Sequence, residues 1–133
     1  MAFAGLNYAA ILVAAIAAFI VGGAWYGVLG NQWLAALGKT RDQMGSPVRP
    51  MIISFIAELV MAWVLAGVLG HLGEVSVTTG IISGAFIWLG FVATTQIINH
   101  AYQGAKPSLT LIDCGHWLAV LVVMGAVIGW FGV

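Results

Sequence analysis

Charge is what this sequence has least of. Four Lys or Arg and four Asp or Glu are spread over 133 residues, and the formal net charge is zero. A soluble domain carries about a quarter charged residues. So few charges cannot clothe a water-facing surface of this size. They also leave no basic footprint, so no nucleic acid partner is expected. A lone cysteine, Cys114, excludes an intrachain disulfide. There is no GxxxxGK[ST] and no GxGxxG after a strand, which removes the usual nucleotide signatures. His and carboxylates are ordinary metal ligands, but with no HExxH, no cysteine pair and no second close histidine the metal signal is weak, and neither a metal site nor a cofactor is assigned. No Ser/His/Asp set has the context of a known catalytic motif, so no catalytic residue is assigned. The first eight residues, Met1 to Tyr8, contain no Lys or Arg. The basic n-region of a signal peptide is therefore missing, and the apolar run that follows is expected to be a permanent span.

What is abundant is apolar. Hydrophobic residues make up 62% of the chain and mean hydropathy is +1.09. Four long apolar stretches stand out, at about 8–29, 51–70, 77–98 and 109–131. About 20 residues at 1.5 Å per residue cross a hydrocarbon core of roughly 30 Å. Backbone exposed to lipid must satisfy its own hydrogen bonds, which selects helix for runs of this kind. The expectation is an all-α, integral membrane four-helix transmembrane bundle, one domain over 1–133, with the lipid bilayer as its solvent.

The basic residues orient it. Lys39, Arg41 and Arg49 fall between the first two spans and Lys106 between the last two. The middle loop holds only His71 and Glu74. Lys and Arg collect on the cytoplasmic side, so both termini are expected on the non-cytoplasmic side. Residues 31–38 place Trp33, Leu34 and Leu37 at helical spacing. This reads either as a short helix lying in the interface or as a ragged end of the first span. Pro50 and Pro107 suit first turns, where a missing N–H costs nothing. Trp25, Tyr26, Trp33, Tyr102 and Trp130 lie near span ends, where amphipathic rings favour the interface.

Small residues recur every four positions in every span. Ala10, Ala14, Ala18 and Gly22 form one such stripe, and Ala62, Ala66 and Gly70 another; Gly80 with Gly84 and Gly125 with Gly129 follow the same spacing. Such stripes let helix backbones approach closely where no hydrophobic effect drives association. They predict a tight bundle, and they equally suit a homo-oligomer.

Against this apolar background a few polar residues are conspicuous. Glu58 lies inside the second span on the stripe of Ala62 and Ala66, so it is expected to face a helix contact. Asp113 and His116 are three apart in the last span and share a helix face. Gln96 and Asn99 close the third span. Cys114 points elsewhere. Under the assigned topology, Glu58, Asp113, His116, Gln96 and Asn99 all occupy the cytoplasmic half of the bilayer, and the other half has almost nothing ionisable. Charged groups in a span are costly and commonly mark function. Each also has a structural reading: a hydrogen-bonded acid, a helix-dipole partner, or interhelical glue worth roughly 0.6 kcal/mol.

The residues Asn7-Tyr8, Trp25-Tyr26-Gly27, Trp33, Asp113 and His116-Trp117 resemble a family of small bacterial four-span membrane proteins known only as a domain of unknown function. Val28 stands where that family would have a proline. The resemblance implies an all-helical protein of a bacterial cytoplasmic membrane and implies no substrate. Three functions compete on the sequence. The polar cluster can bind or conduct a proton or small cation, His and carboxylates being suited to proton exchange. The chain can be a non-catalytic subunit or scaffold that docks a partner. Or it can be a membrane enzyme acting on a lipid or quinone, with Asp113 and His116 as acid–base groups.

Overall fold

Glycine, proline and small polar residues punctuate the chain and set where its helices begin and end. A computed structural model describes residues 3–133; Met1 and Ala2 of the N-terminal segment lie outside it. Five helices and no strand form among the described residues. Helix α1 spans Tyr8–Val28, and Asn7 caps it by accepting a hydrogen bond from the Ala10 N–H at 3.0 Å. Helix α2 spans Gly30–Leu37. Helix α3 spans Val48–Leu72. Helix α4 runs over Val77–Gln103, with Ser76 capping it through the Thr79 N–H at 3.1 Å. Helix α5 spans Pro107–Phe131, with its proline in the first turn as expected. The four long helices α1, α3, α4 and α5 are each long and apolar enough to cross a membrane. The protein is thus a multi-pass helical membrane protein.

Helices α3, α4 and α5 run longer than their apolar stretches, whereas α1 stops one residue short of its own. Helix α3 starts at Val48, so Pro50 is its third residue and still within the first turn. Helix α4 continues five residues past Ile98. Its last stretch, Thr94–Gln103, is amphipathic. The apolar stretch stops before the helix does, and the helix ends only at Gly104, whose φ of 66° terminates it in the left-handed region. The stretch after α1 is a separate short helix, α2, with the chain turning at Leu29. A one-turn 3₁₀ segment, Arg41–Gln43, follows it in the loop.

Helix α5 sits between α1 and α4, and α3 packs chiefly on α1. The α4–α5 contact is backbone on backbone. A Cβ at Gly80 would collide with the Gly125 carbonyl, one at Gly84 with the Leu121 carbonyl, and one at Gly129 with the Ser76 carbonyl. The glycine stripes of these two helices are therefore consumed within the chain. The α1 and α3 stripes are buried as well: Ala10, Ala14, Ala18, Ala62 and Ala66 are almost wholly inaccessible. Helix α4 also carries a π-helical turn, Trp88–Ala93. It holds Gly90, and the Thr94 hydroxyl donates to the Gly90 carbonyl at 2.9 Å, a side-chain competitor for the backbone ladder.

Candidate functional site

Helices α3 and α5 both begin at the end of the bundle that carries loops 38–47 and 104–106. Glu58 is the eleventh residue of α3 and His116 the tenth of α5. At 1.5 Å per residue each lies about 14–15 Å along its helix from that end, so the fold brings them to the same level. Both are buried, Glu58 at 2% and His116 at 6% exposure. They line one cavity of about 560 Å³. Glu58 Oε2 and His116 Nδ1 are the buried side-chain polar atoms without a hydrogen-bond partner among the described residues. A buried polar group left unpaired costs roughly 1–3 kcal/mol, and both fall in the same hollow.

Helix α1 supplies the third side. The Tyr26 hydroxyl donates to Asp113 Oδ1 at 2.6 Å, and the Tyr26 ring lies 4.8 Å from the His116 ring. Next to it, the Trp25 Nε1–H donates to the Ile112 carbonyl at 3.1 Å. Gly22 makes room for the histidine, since a Cβ there would lie 2.9 Å from His116 Nε2. The rings of Trp33, Tyr26, His116 and Trp117 follow one another at centroid separations of 5.5, 4.8 and 4.6 Å. All four line the cavity, so one wall is continuous aromatic surface. Toward the loops the lining changes to Arg41, Met44, Ser46, Pro47 and Met51, all of them exposed. That end is the mouth.

The other end is closed. Beyond Glu58 and His116 the core consists of Ala14, Ala15, Ala18, Ala62, Leu65, Ala66, Val120, Leu121 and Met124, all apolar and buried. No polar side chain belongs to this cluster.

The sequence-selected residues are thus divided. Glu58 and His116 meet at the cavity. Asp113 does not line it but joins it through Tyr26. Gln96, on α4, meets another face of α5, where its Oε1 accepts from the Cys114 thiol at 3.3 Å. On that face the Trp88 Nε1–H donates to the Cys114 carbonyl at 2.7 Å, and His100 Nδ1 meets the Thr110 hydroxyl at 2.7 Å. Asn99 is exposed. Trp25 and Tyr26 bind α5, whereas Tyr102 and Trp130 are largely exposed. Tyr26, Trp33, Arg41 and Ser54 are lining residues that the sequence did not single out as a site. One signal was available for Tyr26. The stripe Ala10, Ala14, Ala18 and Gly22 reaches Tyr26 at its next four-residue step.

No group of three or more His, Cys, Asp or Glu side chains is arranged to hold a metal ion among the described residues. The model of one family, described as Protein of unknown function (DUF1761), matches residues 9–129. No curated protein and no solved structure matches the chain.

Proposed function

The chain belongs to this family of unknown function, and from the cavity we propose that it binds a proton or small cationic ligand at Glu58 and His116 from one side of a bacterial cytoplasmic membrane. The observation that carries the reading is the pair of unpartnered buried atoms, Glu58 Oε2 and His116 Nδ1, on one cavity. Orphaned polar atoms on a concave, largely apolar surface are the pattern of a binding site. The mouth lies at the end carrying all four basic residues, Lys39, Arg41, Arg49 and Lys106. By the bias of Lys and Arg toward the cytoplasm, that end is cytoplasmic. Both termini are then on the other side.

Binding is favoured over conduction because the apolar core beyond Glu58 offers a charge no hydrated continuation. A cysteine replacing Ser54, in a Cys114→Ser background, tests the closed-ended cavity. It is expected to react with a charged methanethiosulfonate reagent added on the mouth side, whereas a cysteine at Ala66 stays unreactive. Reaction at both positions, or proton or cation flux above that of empty proteoliposomes, would overturn the reading.

A further inference from the structure

We propose that the occupant of the cavity is an amphipathic organic cation, an amine or quaternary ammonium on an apolar body, and that it competes with a proton for Glu58. This deepens the binding reading above and rests on it. The charge preference comes from the deep end. Glu58 is the acid there, 2% exposed and with Oε2 unpartnered. An ionised carboxylate in such surroundings is strongly disfavoured unless an opposite charge accompanies it. A proton supplies that charge when the cavity is empty, and a bound cation supplies it otherwise. One displaces the other.

The chemistry of the cation comes from the walls. Trp33, Tyr26, His116 and Trp117 form a run of rings along the cavity, with Phe19 also in the lining. Aromatic faces attract cations, and quaternary ammonium groups in particular, once water is excluded. A metal ion would need more ligands than one carboxyl and one imidazole. A volume of about 560 Å³ falls in the range of sites for drug-sized molecules. The outer lining of Met44, Pro47, Pro50 and Met51 is apolar, and methionine adapts to irregular shapes. It suits the uncharged body.

The titratable and charged groups lining the cavity are Glu58 from α3, Tyr26 from α1, His116 from α5 and Arg41 from the loop; α4 contributes none. Asp113 is engaged by Tyr26. Arg41 stands at the exposed mouth, so the charged end of the ligand is seated away from it. His116 accompanies a cation only when neutral, which makes it the second group whose proton must be accounted for.

The test uses the full chain in detergent with tetraphenylphosphonium as probe, followed by titration calorimetry. Saturable binding of one probe per chain is expected, with affinity rising about tenfold per pH unit while one proton is exchanged. Buffers of different ionisation enthalpy should report release of about one proton per probe. Glu58→Gln is expected to abolish binding and His116→Gln to retain proton release. The proton count is made on the unsubstituted chain, so it decides the matter even where Glu58→Gln fails to fold. Binding without proton release, or undiminished binding by Glu58→Gln, overturns the proposal. So does binding of neutral menadione, read from quenching of tryptophan fluorescence, without binding of tetraphenylphosphonium; that result would leave the cavity a binding site and remove only its cation preference. Failure of both probes, with a cysteine at Ser54 unreactive, would remove both.

Discussion

Tyr26 and Asp113 are 87 positions apart in sequence and are joined by a hydrogen bond of 2.6 Å between hydroxyl and carboxylate. The bond fixes α1 against α5 at the level of the cavity. It also turns the Tyr26 ring against His116. Within membranes such bonds average about 0.6 kcal/mol, with a maximum near 1.7.

Tyr26→Phe and Asp113→Asn should each destabilise the bundle by about 1 kcal/mol, and the double substitution by less than the sum. Unfolding in detergent mixtures, analysed as a double-mutant cycle, measures the coupling. Strict additivity would show that the two residues do not share this bond.

The α4–α5 crossing should be intolerant of any side chain. Gly80→Ala and Gly125→Ala each place a Cβ onto backbone across the contact, where overpacking costs about 1–3 kcal/mol. Gly27→Ala meets nothing within 4 Å and should be neutral or slightly stabilising, since alanine favours helix by about 1 kcal/mol over glycine. Thermal unfolding of the three variants checks the order.

Gly22→Ala is expected to act on the site more than on the fold. Its new methyl meets only the His116 ring, 2.9 Å from Nε2, so the imidazole must swing away while the backbones stay. The expected outcome is a shifted His116 ring resonance in NMR spectra with a melting temperature near that of the unsubstituted chain. A large fall in melting temperature with an unmoved imidazole would contradict it.

Cys114 is 7% exposed and its thiol faces Gln96. Maleimide should label it slowly in the membrane and rapidly after unfolding in dodecyl sulfate. Equal rates would mean that the α4–α5 contact opens readily in the native protein.

Orientation is open to direct measurement. In a Cys114→Ser background, cysteines at the exposed positions Ser46 and Glu74 should be labelled from opposite sides, Ser46 from the cytoplasm. Labelling of both from one side would overturn the proposed topology.

The membrane fold was legible because lipid imposes a simple length and composition rule on each span, and the four apolar runs satisfy it. Helix ends were less legible, because hydropathy reports apolar character and not the point where backbone bonding stops; α4 outlasts its apolar segment by residues 99–103 for this reason. Burial of Glu58 followed from its place on the Ala62–Ala66 stripe. The partition of the polar residues did not. Asp113, Cys114 and His116 lie within one turn of α5, and a rotation of about 100° per residue sends Cys114 to Gln96 while Asp113 and His116 stay beside Tyr26. Spacing along one helix cannot show which neighbour each face meets. Arg41 was hidden for another reason: its loop folds over the bundle end, and basic loop residues otherwise report only orientation.

Side-chain hydrogen bonds are unevenly shared among the helices. Helix α5 is bonded to α1 through Trp25 and Tyr26, and to α4 through Trp88, Cys114 and Thr110. Among the described residues no such bond links α3 to another helix, and its main neighbour is α1, met across alanines. Mechanically the molecule is a laced three-helix plate with one unlaced slat. Glu58 rides on the slat, while Tyr26, His116 and Trp117 are fixed to the plate. Any tilt or slide of α3 would change the gap between acid and aromatic wall without breaking a side-chain hydrogen bond to another helix, so the width of the pocket is held by packing alone.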